Sequence, residues 1–80
     1  MNERKVYVKV LSETDEDGNI TPVRITWEDG RKYTVDKVID ARRACAQKVG
    51  GTAIRYHISV LGKPTYLFND DGKWFVESKQ

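Results

Sequence analysis

Apolar side chains recur at every second position through much of this chain. Val6, Val8 and Val10 alternate with Tyr7, Lys9 and Leu11. Val23, Ile25 and Trp27 oppose Arg24, Thr26 and Glu28, and Tyr33 and Val35 oppose Lys32 and Thr34. Tyr56, Ile58 and Val60 alternate with Arg55, His57 and Ser59. Successive residues of a strand point to opposite faces, so a period of two predicts half-buried β-strands. Strands are expected near residues 23–28, 31–36, 54–61, 65–69 and 73–77, after a first one around Val6–Leu11. The polar stretch Ser12–Thr21, with Asp17-Gly18-Asn19 inside it, is expected to be a loop.

Turn chemistry joins these runs. Asp29-Gly30 between two alternating segments predicts a tight hairpin in which both turn residues take positive φ. Gly62-Lys63 predicts a second, with glycine first as a type II′ turn requires, and Pro64 opening the next strand. The third hairpin is the C-terminal one. Tyr66-Leu67-Phe68 and Trp74-Phe75-Val76 flank a turn drawn from Asn69 to Lys73. On that reading Tyr66, Phe68, Trp74 and Val76 lie apart from Leu67 and Phe75. Both faces of this hairpin are apolar, and a one-sided antiparallel sheet covers only one.

The stretch from Asp36 to Gly51 is ambiguous. Val38, Ala41, Cys45 and Val49 have helical spacing, Asp36 or Asp40 could cap a helix, and Gly50 could end it. Val35, Val38 and Ile39 are β-branched, and a strand continuing from Tyr33 with a bulge is equally writable. An extended start with at most a short helical segment near Ala41–Lys48 is the expectation. The fold class is therefore all-β, or β-rich with one short helical segment. A small, strongly bent antiparallel meander closing into an SH3-like, partly open barrel suits the doubly apolar strands. An open sheet crossed by one helix is the alternative.

At 80 residues the chain reads as a single domain, 1–80, with residues 1–4 and 78–80 expected to fray. Its 39% of apolar residues suffices for a core, and its longest apolar run is three residues. That length excludes a membrane-spanning helix or a signal-peptide core, and one cysteine excludes an internal disulfide. A soluble cytoplasmic protein is expected, with no membrane association. The net charge of +2 is unevenly spread. Residues 31–63 carry eight basic and two acidic side chains, whereas Glu13, Asp15, Glu16 and Asp17 cluster in the loop.

The candidate chemistry is thin. Asp15, Asp17 and Asn19 resemble part of a calcium loop, but Ile20 and Thr26 stand where glycine and an acid are needed. Cys45 and His57 are too few to form a zinc set, and nothing in their spacing pairs them as a nucleophile and base. Gly50-Gly51 lacks the context of a phosphate loop, and Asp70-Asp71 sits where a turn favours aspartate. No cofactor, no metal and no enzymatic activity are expected.

A longer pattern is more specific. Ile25-Thr26-Trp27-Glu28-Asp29-Gly30-Arg31-Lys32-Tyr33 is followed by Val35-Asp36-Lys37-Val38-Ile39-Asp40. Gly50-Gly51, Arg55-Tyr56, Thr65-Tyr66-Leu67-Phe68 and Trp74-Phe75-Val76-Glu77 complete it. Together they resemble a family of small uncharacterised bacterial proteins over nearly the whole chain. That resemblance implies a β-rich fold, and its members' proline where Ala44 stands here argues against a regular helix. It brings no activity and no catalytic residues.

The aromatic residues remain. Core packing accounts for Trp27, Tyr56, Leu67 and Phe75. Tyr66, Phe68 and Trp74 could form an exposed stripe beside Arg55 and Lys63, the arrangement by which β-domains pair or stack bases. The expected function is a non-enzymatic interaction module that meets a protein partner, or a second copy, through this face. The alternative is weak single-stranded nucleic-acid binding through Arg42, Arg43, Lys48, Arg55 and Lys63. Five converging phosphate contacts would give a log–log salt slope near about −3.5.

Overall fold

The structure, a computed structural model, describes residues 3–44 and 53–79. The described chain is all-β, with no helix. Its strands are β1 (Glu3–Tyr7), β2 (Lys9–Thr14), β3 (Ile20–Thr26), β4 (Lys32–Ala44), β5 (Ala53–Val60), β6 (Lys63–Asp70) and β7 (Lys73–Lys79). All pairings are antiparallel, in the order β1-β7-β6-β5-β4-β3-β2. The sheet curls into an open half-barrel, as the doubly apolar strands require.

Two bent stretches produce the curl. β1 and β2 stand at opposite ends of the order, yet only Val8 separates them in the chain. The Val8 N–H donates to the Trp74 carbonyl at 3.0 Å, so the chain leaves β7 there and turns to pair with β3. β4 divides its pairing in the same way. Lys32–Thr34 pair with β3, and Val35–Ala44 pair with β5. Bulges at Val35/Lys37 and Val38/Asp40 bend it, because an extra residue on one side increases local twist. The β-branched residues thus extend the strand through Ala44, and the helical spacing of Val38 and Ala41 has no helical counterpart. The rest of the segment expected to hold a helical turn, including Cys45 and Lys48, lies outside the described residues.

The hairpins stand where expected, but each turn differs in type. The first is a three-residue loop, not the two-residue turn expected at Asp29-Gly30. Gly30 N–H donates to the Trp27 carbonyl (2.9 Å), Trp27 N–H to that of Arg31 (2.7 Å), and only Gly30 has positive φ (92°). Trp27 consequently sits at the loop mouth, half-buried, and not in the core. The second turn is Leu61-Gly62, one residue before the expected Gly62-Lys63, because Val60 pairs with Lys63. Leu61 (φ 53°) and Gly62 (φ 74°) are both left-handed, which makes the turn I′ and not II′. The Asp36 carboxylate fastens it, accepting from Gly62 N–H at 2.9 Å and the Ser59 hydroxyl at 3.1 Å. A branched side chain in this conformation costs about 1–2 kcal/mol, and Leu61 is 74% exposed, so packing returns little. Leu61→Asn should therefore raise stability by about 0.5–1 kcal/mol, measured by urea denaturation.

The loop expected over Ser12–Thr21 is shorter, since β2 runs to Thr14 and β3 starts at Ile20. Asp15 closes it. Its carboxylate accepts from the N–H groups of Asp17 and Asn19 and from the Asn19 amide, at 2.9–3.2 Å. These bonds, those from Asn19 first, hold the Asp15 carboxyl below its ordinary pKa. A depressed folded pKa means the contribution is present above the unfolded value, near 3.9, and is lost as pH falls through the lower folded value. Asp15→Asn should flatten the acid limb of the stability–pH curve below about pH 4, read by thermal melts across pH 2–6.

Inside the curl lie Ile25, Tyr56, Ile58, Leu67 and Trp74, ringed by Val8, Val10, Val35, Val38, Val60 and Val76. The Tyr56 and Trp74 rings meet at 5.4 Å, and the Tyr56 hydroxyl donates to the Ile20 carbonyl at 3.0 Å. Pairing reaches Glu3↔Lys79, inside the terminal stretches expected to fray.

Candidate interaction surface

The C-terminal turn decides which side chains reach the outer face. Asp71 (φ 53°) and Gly72 (φ 87°) make a two-residue turn with Asp70 opposite Lys73, and Asn69 Oδ1 accepts from Gly72 N–H at 2.9 Å. The register is thus Phe68↔Phe75 and Asn69↔Trp74. Directly opposed antiparallel residues share a face. Tyr66 and Phe68 therefore lie with Phe75 on the outer face, and Leu67 lies inside with Trp74. The expected stripe of Tyr66, Phe68 and Trp74 is corrected on this point. Trp74 belongs to the core, and Phe75 takes its place outside.

The outer face carries one cross-strand row over five strands. Arg42 (β4) lies opposite Arg55 (β5), Arg55 opposite Phe68 (β6), Phe68 opposite Phe75 (β7), and Phe75 opposite Tyr7 (β1). Phe68 and Phe75 stack with centroids 5.0 Å apart and planes 5° from parallel. Tyr7 meets Phe75 at 5.6 Å, and the Lys5 ammonium lies 5.0 Å above the same ring. Beside the row, Tyr66 takes the Arg55 guanidinium on its face at 4.8 Å and the His57 ring at 4.8 Å. Phe68 and Phe75 are thereby buried by their neighbours, and Tyr7 and Tyr66 stay exposed at the two ends.

The charges here are placed at some cost. Like charges directly opposite one another across two strands are destabilising, and Arg42 and Arg55 stand so. Asp40 relieves part of this, accepting from Arg42 Nε at 2.6 Å. That hydrogen bond, then the charge of Arg42 and the Ala41 backbone N–H, hold the Asp40 carboxyl below the usual carboxylate range. The other basic residues expected to converge do not. Arg43 is opposite Ile54, on the side facing away from Arg55, and Lys63 is at the far hairpin opposite Val60. Five residues of strand separate Lys63 from Phe68, roughly 17 Å. The sequence reading missed Tyr7, Lys5 and Phe75 as members of this face. Alternation of Tyr7 with Val6 and Val8 was the available signal, and it needed the β1–β7 register to be used. His57 is on this face as a ring partner of Tyr66, whereas Cys45 is outside the described residues.

No family model, no curated protein and no solved structure matches this chain.

Proposed function

We propose that this chain is a small SH3-like β-barrel interaction module that meets a protein partner, or a second copy of itself, through its outer aromatic face. The observation that carries the reading is the Arg42–Arg55–Phe68–Phe75–Tyr7 row. It joins a stacked aromatic pair to exposed Tyr7 and to two arginines, Arg42 held by Asp40 and Arg55 lying on the ring of exposed Tyr66 beside the row. Tyrosine and arginine are the side chains that dominate protein contact energies, because each offers large, stiff area with a polar end. A photo-crosslinking amino acid placed at Tyr66 should give discrete adducts in cells, with none from the same group at exposed Arg31. An adduct of twice the chain's mass in purified protein would identify a second copy as the occupant. Equal labelling from the two positions would remove the reading.

The opposed arginines favour one second reading, a weak contact with single-stranded nucleic acid. Two phosphate contacts give a log–log salt slope near about −1.4, and Lys5 as a third brings it to about −2.1. Both fall short of the slope expected from five converging residues. Titration of a labelled oligonucleotide against salt should therefore show shallow, weak binding, and a slope steeper than about −3 would favour nucleic acid over protein.

A further inference from the structure

The barrel is split between β3 and β4. Their pairing covers Arg24–Thr26 with Lys32–Thr34 and stops there. Pro22 has no N–H to give, and β3 skips a residue against β2 at the Leu11/Ser12 irregularity, so the two strands part. Beyond that point the outer edge of β4 pairs with no strand among the described residues. An unpaired edge is ordinarily blunted by bulges and by inward or edge charges. Both bulges of β4 precede Asp40. From Asp40 to Ala44 the strand runs in regular register against Ala53–His57, so these five residues present an unbulged edge about 17 Å long, guarded only by the charges of Asp40, Arg42 and Arg43 and paired with no other described strand.

A cavity of about 530 Å³ lies along this edge. Gly18–Thr21 form one wall, Val38 and Ala41–Arg43 the other, and Ile54 and Tyr56 the floor. Ile20 and Ile54 are each over a third exposed, which leaves apolar surface beside the open edge. Among the described residues, the only charged side chains lining the cavity are Arg42 and Arg43, and Arg43 has no ion pair.

We infer that this cleft is a second binding site, which takes an acidic peptide in extended form by adding it as a strand to the Asp40–Ala44 edge of β4. Main-chain hydrogen bonds to the edge supply affinity in this mode, and pockets for alternate side chains supply selectivity. A strand places every second side chain on one face, so apolar residues meet Ile20 and Ile54 on the inner face and acidic ones meet Arg42 on the outer face, while Arg43, opposite Ile54, adds its positive charge to the cleft. The charge argues against a second copy as the occupant. Two β4 edges pairing antiparallel about Arg42, the middle of the edge, would set Arg42 of each chain directly against that of the other, and like charges across strands repel.

The test uses a fluorescent peptide of alternating valine and glutamate, blocked at both ends, with the whole chain. Its anisotropy should saturate. A valine–lysine analogue, and a valine–glutamate peptide N-methylated at alternate residues, should bind about tenfold more weakly or worse. Arg43→Glu should cause a comparable loss with the melting temperature unchanged, whereas Tyr66→Ala should leave binding as it was. Amide shifts on titration should map to residues 18–21 and 38–44. Equal binding of the acidic and basic peptides would overturn the inference, as would shifts centred on Tyr66 and Arg55. Tighter binding of oligo-dT than of the acidic peptide, with Arg43→Glu abolishing it, would assign the cleft to nucleic acid instead. A dimer dispersed by Arg43→Glu would assign it to self-pairing.

Discussion

Trp74→Ala should lower stability by about 3–5 kcal/mol, a shift of the urea midpoint far beyond that of an average surface substitution. Trp74 is buried, lies opposite Asn69 and meets Tyr56 ring to ring at 5.4 Å inside the curl. Deleting an indole there removes its transfer energy and leaves a cavity that a closely packed sheet refills only in part. A domain of this size holds on the order of 4–12 kcal/mol in all, so the loss is a large share of it. Urea denaturation followed by far-ultraviolet circular dichroism measures it. A folded mutant of unchanged midpoint but smaller sedimenting mass would instead place Trp74 at a contact between copies.

Phe75→Ala is expected to cost about as much, roughly 3–5 kcal/mol, although it sits on the opposite face. Phe75 is 2% exposed, stacked on Phe68 and covered by Tyr7 and Lys5. The outer aromatic layer is then structural at its centre and available only at its ends. Tyr66→Ala supplies the contrast, since it loses the Arg55 contact and little buried area, about 1 kcal/mol or less. The same denaturation series on all three variants tests the division. If Tyr66→Ala proved as damaging as Phe75→Ala, the outer face would be a second core and a poor candidate for binding.

Much of the fold is legible along the chain. Val6, Val8, Val23, Ile25, Tyr56 and Ile58 alternate because a pleated strand turns successive side chains to opposite faces, and that period is a local property. Asp29-Gly30, Gly62 and Asp71-Gly72 mark hairpins because glycine alone enters positive φ without cost, and that too is local. The all-β class and the bent meander follow from these two facts and from a C-terminal hairpin apolar on both sides.

What tertiary structure decided was register. A turn of five residues, Asn69–Lys73, would oppose Phe68 to Trp74 and keep both on one face. The two-residue turn Asp71-Gly72 opposes Phe68 to Phe75, and a shift of one residue sends every later side chain to the other face. Leu61 entering a left-handed turn is of the same kind. Its local preference is against it, and the Val60↔Lys63 pairing with the Asp36 clamp on Gly62 prevails. The candidate surface depended on register throughout, because Arg42, Arg55, Phe68, Phe75 and Tyr7 come from five strands and have no common spacing. Arg43 and Lys63 share the basic segment with Arg42 and Arg55 in sequence and are parted from them by alternation and strand length. Composition and period belong to single strands and are written in the sequence; a face exists only once strands are paired.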